Sequence, residues 1–108
     1  MVFTYEEVKK ACQKAVDEAL NKAENKSQFL FAGFCFIRFK GLANKNKLVK
    51  AGFDVQKHHE SGFYINADDL FEAPGFDQSM ILKEIAGKVA CSMLEKSGIN
   101  CWLESFTD

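Results

Sequence analysis

The segment 28–40 limits the possible folds more than any other part of the sequence. It holds five of the chain's eleven phenylalanines, and Gly41 follows it directly. Aromatic and branched residues between polar and glycine boundaries predict one long strand here. One set of alternate positions is Phe29, Phe31, Gly33, Cys35, Ile37 and Phe39, and the other is Leu30, Ala32, Phe34, Phe36, Arg38 and Lys40.

Both sets of alternate positions begin apolar. A strand that is apolar on both faces is typical of the middle of a sheet that is covered on both sides. Because the chain has few helices to provide that cover, we expect one face of this strand to meet a ligand or a partner chain. A homodimer is one form that such a contact could take.

Two amphipathic helices lie on either side of this strand in the sequence. Thr4 and Glu7 form a capping box at the start of the first helix, which we expect to end near residues 22–26. Its apolar stripe consists of Val8, Ala11, Cys12, Ala15, Val16, Ala19 and Leu20. Asp77 is the predicted N-cap of the second helix, whose apolar face consists of Ile81, Leu82, Ile85, Ala86, Val89, Met93 and Leu94. The small residues Gly87, Ala90 and Cys91 predict a close helix contact.

Shorter signals complete the order of elements. A short helix is predicted over 44–51, and Gly52 and Gly98 each end a helix and lead into a strand. The segments 53–58 and 62–66 form a predicted hairpin, and 99–106 is the last predicted strand. The order α-β-(α)-β-β-α-β predicts a single α+β domain over 1–108, with a mixed four-stranded sheet packed by two long helices.

Composition excludes several classes of protein. The net charge is −1, and no apolar run reaches the ~18 residues that a membrane-spanning helix needs. No signal-like segment precedes the first helix, so we expect a cytoplasmic protein without membrane contact. Cys12 and Cys91 fall on apolar faces of predicted helices, and Cys35 and Cys101 fall in predicted strands, which predicts reduced thiols. No Cys-x-x-Cys or Cys–His pair has the spacing of a zinc site, so neither a metal nor a cofactor is predicted.

Charge is distributed unevenly along the chain. Residues 28–59 contain six basic residues and one acidic residue, whereas residues 60–108 contain nine acidic and three basic residues. Within the basic part, residues 32–39 resemble the RNP1 strand of RNA-recognition motifs, although Ala32 replaces its leading basic residue. The resemblance implies that Phe34 and Phe36 stack on bases. The candidate residues for binding single-stranded nucleic acid are Phe34, Phe36, Arg38, Lys40, Lys45, Lys47 and Lys50.

The acidic part contains a loop that suits a protein partner. Its candidate residues are Asp68, Asp69, Phe71, Glu72 and Asp77. Phe71 has no evident structural task in the sequence, so it is the predicted aromatic anchor. The surrounding carboxylates would steer a basic partner surface towards it. The leading hypothesis is a small non-enzymatic protein-binding module, such as an inhibitor, an immunity protein or an adaptor.

The two histidines raise a third hypothesis. His58 and His59 are adjacent at the tip of the predicted hairpin, where we expect both to be exposed and to point to opposite faces. Histidine titrates near neutral pH without tuning and can act as a general acid or base. A metal-independent nuclease using these residues is therefore a further alternative, after protein binding and nucleic-acid binding.

Overall fold

Three α-helices and four strands occur within residues 2–107, which the computed structural model describes. The helices are α1 (Tyr5–Lys22), α2 (Leu42–Lys50) and α3 (Met80–Lys96). The strands are β1 (Gly33–Phe39), β2 (Gln56–Lys57), β3 (Phe63–Asn66) and β4 (Cys101–Thr107). Short 3₁₀ helices cover Lys26–Leu30 and Ala67–Leu70. The α+β class and the predicted order of elements are confirmed.

The strands form one sheet in the order β2-β3-β1-β4, with β1 in the centre as predicted. Every neighbouring pair is antiparallel. The expectation of a mixed sheet was therefore wrong. The reason is the strand order. β1 and β2 run in one direction, and β3 and β4 run in the other, so two strands of the same direction are never neighbours.

Helices α3 and α1 form two layers on one face of this sheet. α3 packs on β1 and β4, while α1 packs mainly on α3. This arrangement buries two sides of α3, and even Lys83 is fully buried. A Cβ atom added to Gly87 would lie 3.0 Å from the Leu103 side chain and 3.1 Å from the Cys35 sulfur. The small residue at 87 therefore permits close approach to the sheet, rather than the helix contact that was expected.

The predicted signals at the start of α1 and at the ends of α2 and α3 are confirmed. The Thr4 side chain accepts a hydrogen bond from the Glu7 amide, and the Glu7 carboxylate accepts one from the Thr4 amide. Gly52 and Gly98 have φ values of +101° and +86°, which is the left-handed conformation expected after a helix.

Among the helices of residues 2–107, none combines the length and apolar character that a membrane crossing requires.

Two predicted boundaries were wrong. The strand over 28–40 begins only at Gly33, because the Asn25 side chain caps a 3₁₀ helix over Lys26–Leu30. The N-cap of α3 is Ser79, whose hydroxyl accepts a hydrogen bond from the Leu82 amide. Asp77 instead accepts a hydrogen bond from the Ala73 amide within the preceding turn.

Candidate functional site

The face of the sheet opposite α3 forms the candidate site, and we call it the open face. Cys35, Ile37 and Phe39 of β1 point towards α3 and are fully buried. The residues between and beside them point to the other face. The open face consists of Phe34, Phe36 and Arg38 from β1, Tyr64 and Asn66 from β3, and Trp102, Glu104 and Phe106 from β4.

Antiparallel register groups the five aromatic residues of the open face into one cluster. Phe34 is the cross-strand neighbour of Phe106, and Arg38 lies between Tyr64 and Trp102. The Phe36 ring lies 4.6 Å from the Tyr64 ring and 5.9 Å from the Phe106 ring, measured between centroids. Solvent reaches 39% of Phe34, 40% of Trp102 and 47% of Phe106. Three large aromatic side chains are therefore available for contact from one side of the sheet.

A polar cluster occupies the centre of the open face. The Arg38 guanidinium donates to the Glu104 carboxylate at 2.9 Å and to the Ser61 carbonyl at 2.9 Å. It also lies 5.2 Å from the centre of the Trp102 ring, within the range of a cation–π contact. The remaining oxygen of Glu104 is 3.5 Å from Nε2 of His58. Arg38 is thus buried and paired, although the sequence analysis proposed it as a contact to nucleic acid.

The other predicted nucleic-acid residues do not continue this surface as one platform. Phe34 and Phe36 lie on the open face, as their alternation implied. Lys40 is exposed just beyond the end of β1, while Lys45, Lys47 and Lys50 lie on α2. Sequence reasoning missed Tyr64, Trp102 and Phe106. Their alternation within the predicted strands was a usable signal, but only the strand order shows that they flank Phe36.

The acidic loop is held against the rest of the fold by a buried side chain and by hydrogen bonds. Phe71 is only 5% exposed and belongs to the core, so the expectation that it is a free aromatic anchor was wrong. The 3₁₀ helix over Ala67–Leu70 turns the chain inward after β3, which carries Leu70 and Phe71 beneath the surface. Gln13 of α1 holds the backbone of Glu72 at both its amide and its carbonyl, at 2.7 and 2.8 Å.

Asp68 lies where β3 ends beside the open face. Its carboxylate is 3.0 Å from the buried Nζ of Lys83, which also donates to the Gly33 carbonyl at 2.7 Å. The same Nζ lies 5.1 Å from the centre of the Phe34 ring. Asp68 therefore has a structural partner and at the same time forms part of the rim around the exposed aromatic residues.

Asp69 lies in a surface cavity of about 380 Å³ that Tyr5, Lys9, Asp54 and Asp68 also line. Burial raises the pKa of the Asp69 carboxyl, and the charges of Asp54 and Asp68 raise it further. The Tyr5 hydroxyl donates a hydrogen bond to the Asp69 carbonyl. These carboxylates disfavour one another's charge.

The histidines lie only partly as expected. His58 is buried, at 5% exposure, whereas His59 is exposed, and their rings stack with centroids 4.5 Å apart. His58 Nδ1 accepts a hydrogen bond from the Glu60 amide, and Nε2 faces Glu104. Ligand atoms of His58, His59 and Glu60 lie within 4.8 Å of one another. Because both nitrogens of His58 are already engaged, the pair is poorly arranged for proton transfer or for holding a metal.

Comparison of this chain with models of protein families, with curated proteins and with solved structures found no match in any of the three.

Proposed function

We propose that the protein is a non-enzymatic binding module that holds another protein against the open face. The observation that carries this proposal is the aromatic cluster of Phe34, Phe36, Tyr64, Trp102 and Phe106 around a paired arginine. Tryptophan, tyrosine and arginine are enriched among the residues that dominate binding energy in protein interfaces. The central charges are already paired within this chain, so covering them leaves no ion without its partner.

The distribution of charge favours a protein over a single-stranded nucleic acid as the partner. Affinity for nucleic acid depends on cations that neutralise phosphates. Arg38 on the open face is bound to Glu104, and Asp68 adds a carboxylate at the rim beside Phe34. The lysines of α2 lie outside the aromatic cluster. An aromatic face with a partly acidic rim suits a partner whose contact surface is apolar in the centre and basic at its edge.

The proposed binding surface differs from the one that was predicted from the sequence. Phe71 was the expected anchor, but its side chain lies in the core. Trp102 and Phe106 take over that role in the proposal, since both are more than one-third exposed and lie on the same face of β4. The carboxylate of Asp68 remains as part of the rim, where it would steer the approach of a basic partner.

Recovery of bound protein from a lysate of the source organism tests the proposal. The immobilised full chain is compared with W102A and F106A, and Phe31→Ala is the matched control. Phe31 is 57% exposed and lies outside the open face, so it presents a similar aromatic surface elsewhere. We expect one protein to bind the parent chain and the control in stoichiometric amount, to resist nuclease treatment, and to be lost with both open-face variants.

Three outcomes would contradict the proposal. Equal recovery by W102A, F106A and the parent chain would remove the open face from the interaction. Binding that disappears on nuclease treatment would favour nucleic acid instead. A concentration-dependent dimer of the purified chain, abolished by F106A in sedimentation experiments, would show that a second copy occupies this face.

A further inference from the structure

Two cysteines from consecutive elements lie close together near the end of α3. Cys91 and Glu95 are one helical turn apart, and Cys101 is the first residue of β4. Gly98, with a φ of +86°, lets the chain reverse between the helix and the strand. The reversal brings the second thiol back beside the first, and the Cys101 sulfur lies 3.4 Å from the Cys91 carbonyl.

The ligand atoms of these three residues have the separations of a metal site. The two sulfurs and a carboxylate oxygen of Glu95 lie within 4.8 Å of one another. The Cys91 sulfur is 3.5 Å from that oxygen. In a tetrahedral zinc site, bonds of ~2.3 Å to sulfur and ~2.1 Å to oxygen place the two ligand atoms about 3.6 Å apart. Little movement is therefore needed to bring a sulfur and the carboxylate onto one ion.

Access and charge around the cluster are also suitable. Cys91 and Glu95 line a surface cavity of about 520 Å³, together with Leu103 and two lysines, Lys88 and Lys96. A cation can enter through this cavity, and water from it can fill the fourth ligand position. Two thiolates and one carboxylate exceed the charge of a divalent ion by one unit, and the neighbouring lysines offset that excess.

We propose that Cys91, Glu95 and Cys101 bind one thiophilic divalent cation of the zinc class. Two sulfur–metal bonds form as the two thiols release their protons, and the carboxylate supplies the third bond without any change of oxidation state. A free thiol is mostly protonated at neutral pH, so protons must leave when the metal binds. Magnesium and calcium are excluded as occupants because they prefer sites built from oxygen ligands.

This site is independent of the proposed protein-binding function. Cys101 and Leu103 lie on alternate positions of β4 from Trp102 and Phe106, so the cluster is on the α3 side of the sheet. Binding of a metal would tie the last turns of α3 to the start of β4. Because a ligand that binds only the folded state stabilises it, the metal should raise the melting temperature of the chain.

Titration of the reduced full chain with Co²⁺ alone tests the site. We expect one equivalent to produce the near-ultraviolet sulfur-to-cobalt charge-transfer band and the visible bands of tetrahedral cobalt. Binding of the cobalt should release two protons, and Zn²⁺ should then displace the cobalt without further proton release. C91S and C101S should each lose the charge-transfer intensity of one sulfur and most of the affinity.

Glu95→Gln keeps the inference testable should a cysteine variant fail to fold. Glu95 is exposed, so the substitution leaves the packing of α3 intact. Loss of a direct ligand should weaken binding by roughly tenfold or more, since losing an outer-shell partner already costs about that much. Glu18→Gln, an exposed glutamate of α1, is the matched control and should leave the affinity unchanged.

Three results would overturn the assignment. One is a cobalt spectrum without a charge-transfer band in the reduced chain. Another is an unchanged spectrum in both C91S and C101S, which would place the bound ion elsewhere. The third is equal affinity of E95Q and the parent chain, which would remove the carboxylate from the site.

Discussion

The two faces of the sheet have similar side chains but opposite surroundings. On the α3 side, Cys35, Ile37 and Phe39 of β1 are fully buried. On the open face, the alternate residues Phe34 and Phe36 are exposed or half-buried, and Phe106 beside them is 47% exposed. The comparison shows that apolar character alone does not identify the core. Which face is buried depends on where α3 lies.

The largest expected effect is the difference in stability between two truncations to alanine, one of a phenylalanine on the α3 side of the sheet and one on the open face. Phe39→Ala should lower the free energy of unfolding by about 3–5 kcal/mol, because it leaves a cavity among buried neighbours. Phe106→Ala should cost less than about 1 kcal/mol, because the side chain is already half in water. Urea denaturation of both variants measures the difference. Equal losses would mean that the open face is covered in solution.

A smaller effect is expected at the ion pair beside the boundary between the two faces. Asp68→Asn leaves the fully buried Lys83 ammonium without its counter-charge. We expect a loss of about 2 kcal/mol, less than for a wholly buried pair because water reaches Asp68 and screens the interaction. Asp77→Asn, in the same loop but hydrogen-bonded only to a backbone amide, is the control. A stability of D68N equal to that of D77N would show that Lys83 needs no partner.

The smallest effect concerns the carboxyl groups near the end of β3. Burial and the neighbouring Asp54 and Asp68 raise the pKa of Asp69 in the folded chain. A raised carboxyl pKa favours folding at low pH, and this contribution is lost as the pH rises through the folded-state pKa. Asp69→Asn should therefore be slightly more stable than the parent chain at neutral pH.

The pH dependence of that difference provides the check. Below the ordinary aspartate pKa of ~3.9 the carboxyl is protonated in both states, so the advantage of D69N over the parent chain should shrink there. Urea denaturation at neutral pH and below pH ~3.9 measures the difference in unfolding free energy between D69N and the parent chain. An advantage that grows as the pH falls would show that the charged form is stabilised by the fold.

The features predicted correctly from sequence were those that depend on near neighbours. The Thr4–Glu7 capping box, the glycines at 52 and 98 and the alternation of β1 each involve contacts within a few residues. The N-cap of α3 was wrong because Asp77 and Ser79 are both good capping residues. In the structure, the Asp77 carboxylate accepts a hydrogen bond from Ala73 in the preceding turn, and Ser79 caps the helix instead.

The candidate sites depend on contacts that are long in sequence. Phe34 and Phe36 were found from the alternation of one strand, but their neighbours Tyr64 and Phe106 come from two other strands. The cysteine cluster had no motif, because its ligands come from a helix and the following strand, with Cys101 reached only through the turn at Gly98. Spacing rules recognise ligands within one loop and overlook such a pair.

By itself the sequence determined the α+β class, the order of the elements and the two sides of the central strand, because these follow from local periodicity and caps. Only the tertiary structure decided that α3 covers one side of β1 and leaves the aromatic side open. It also decided that Phe71 is buried and that Cys91 meets Cys101. The physical reason is that burial is shared among all packed elements, so the environment of a side chain depends on which distant residues the strand order and helix packing bring against it.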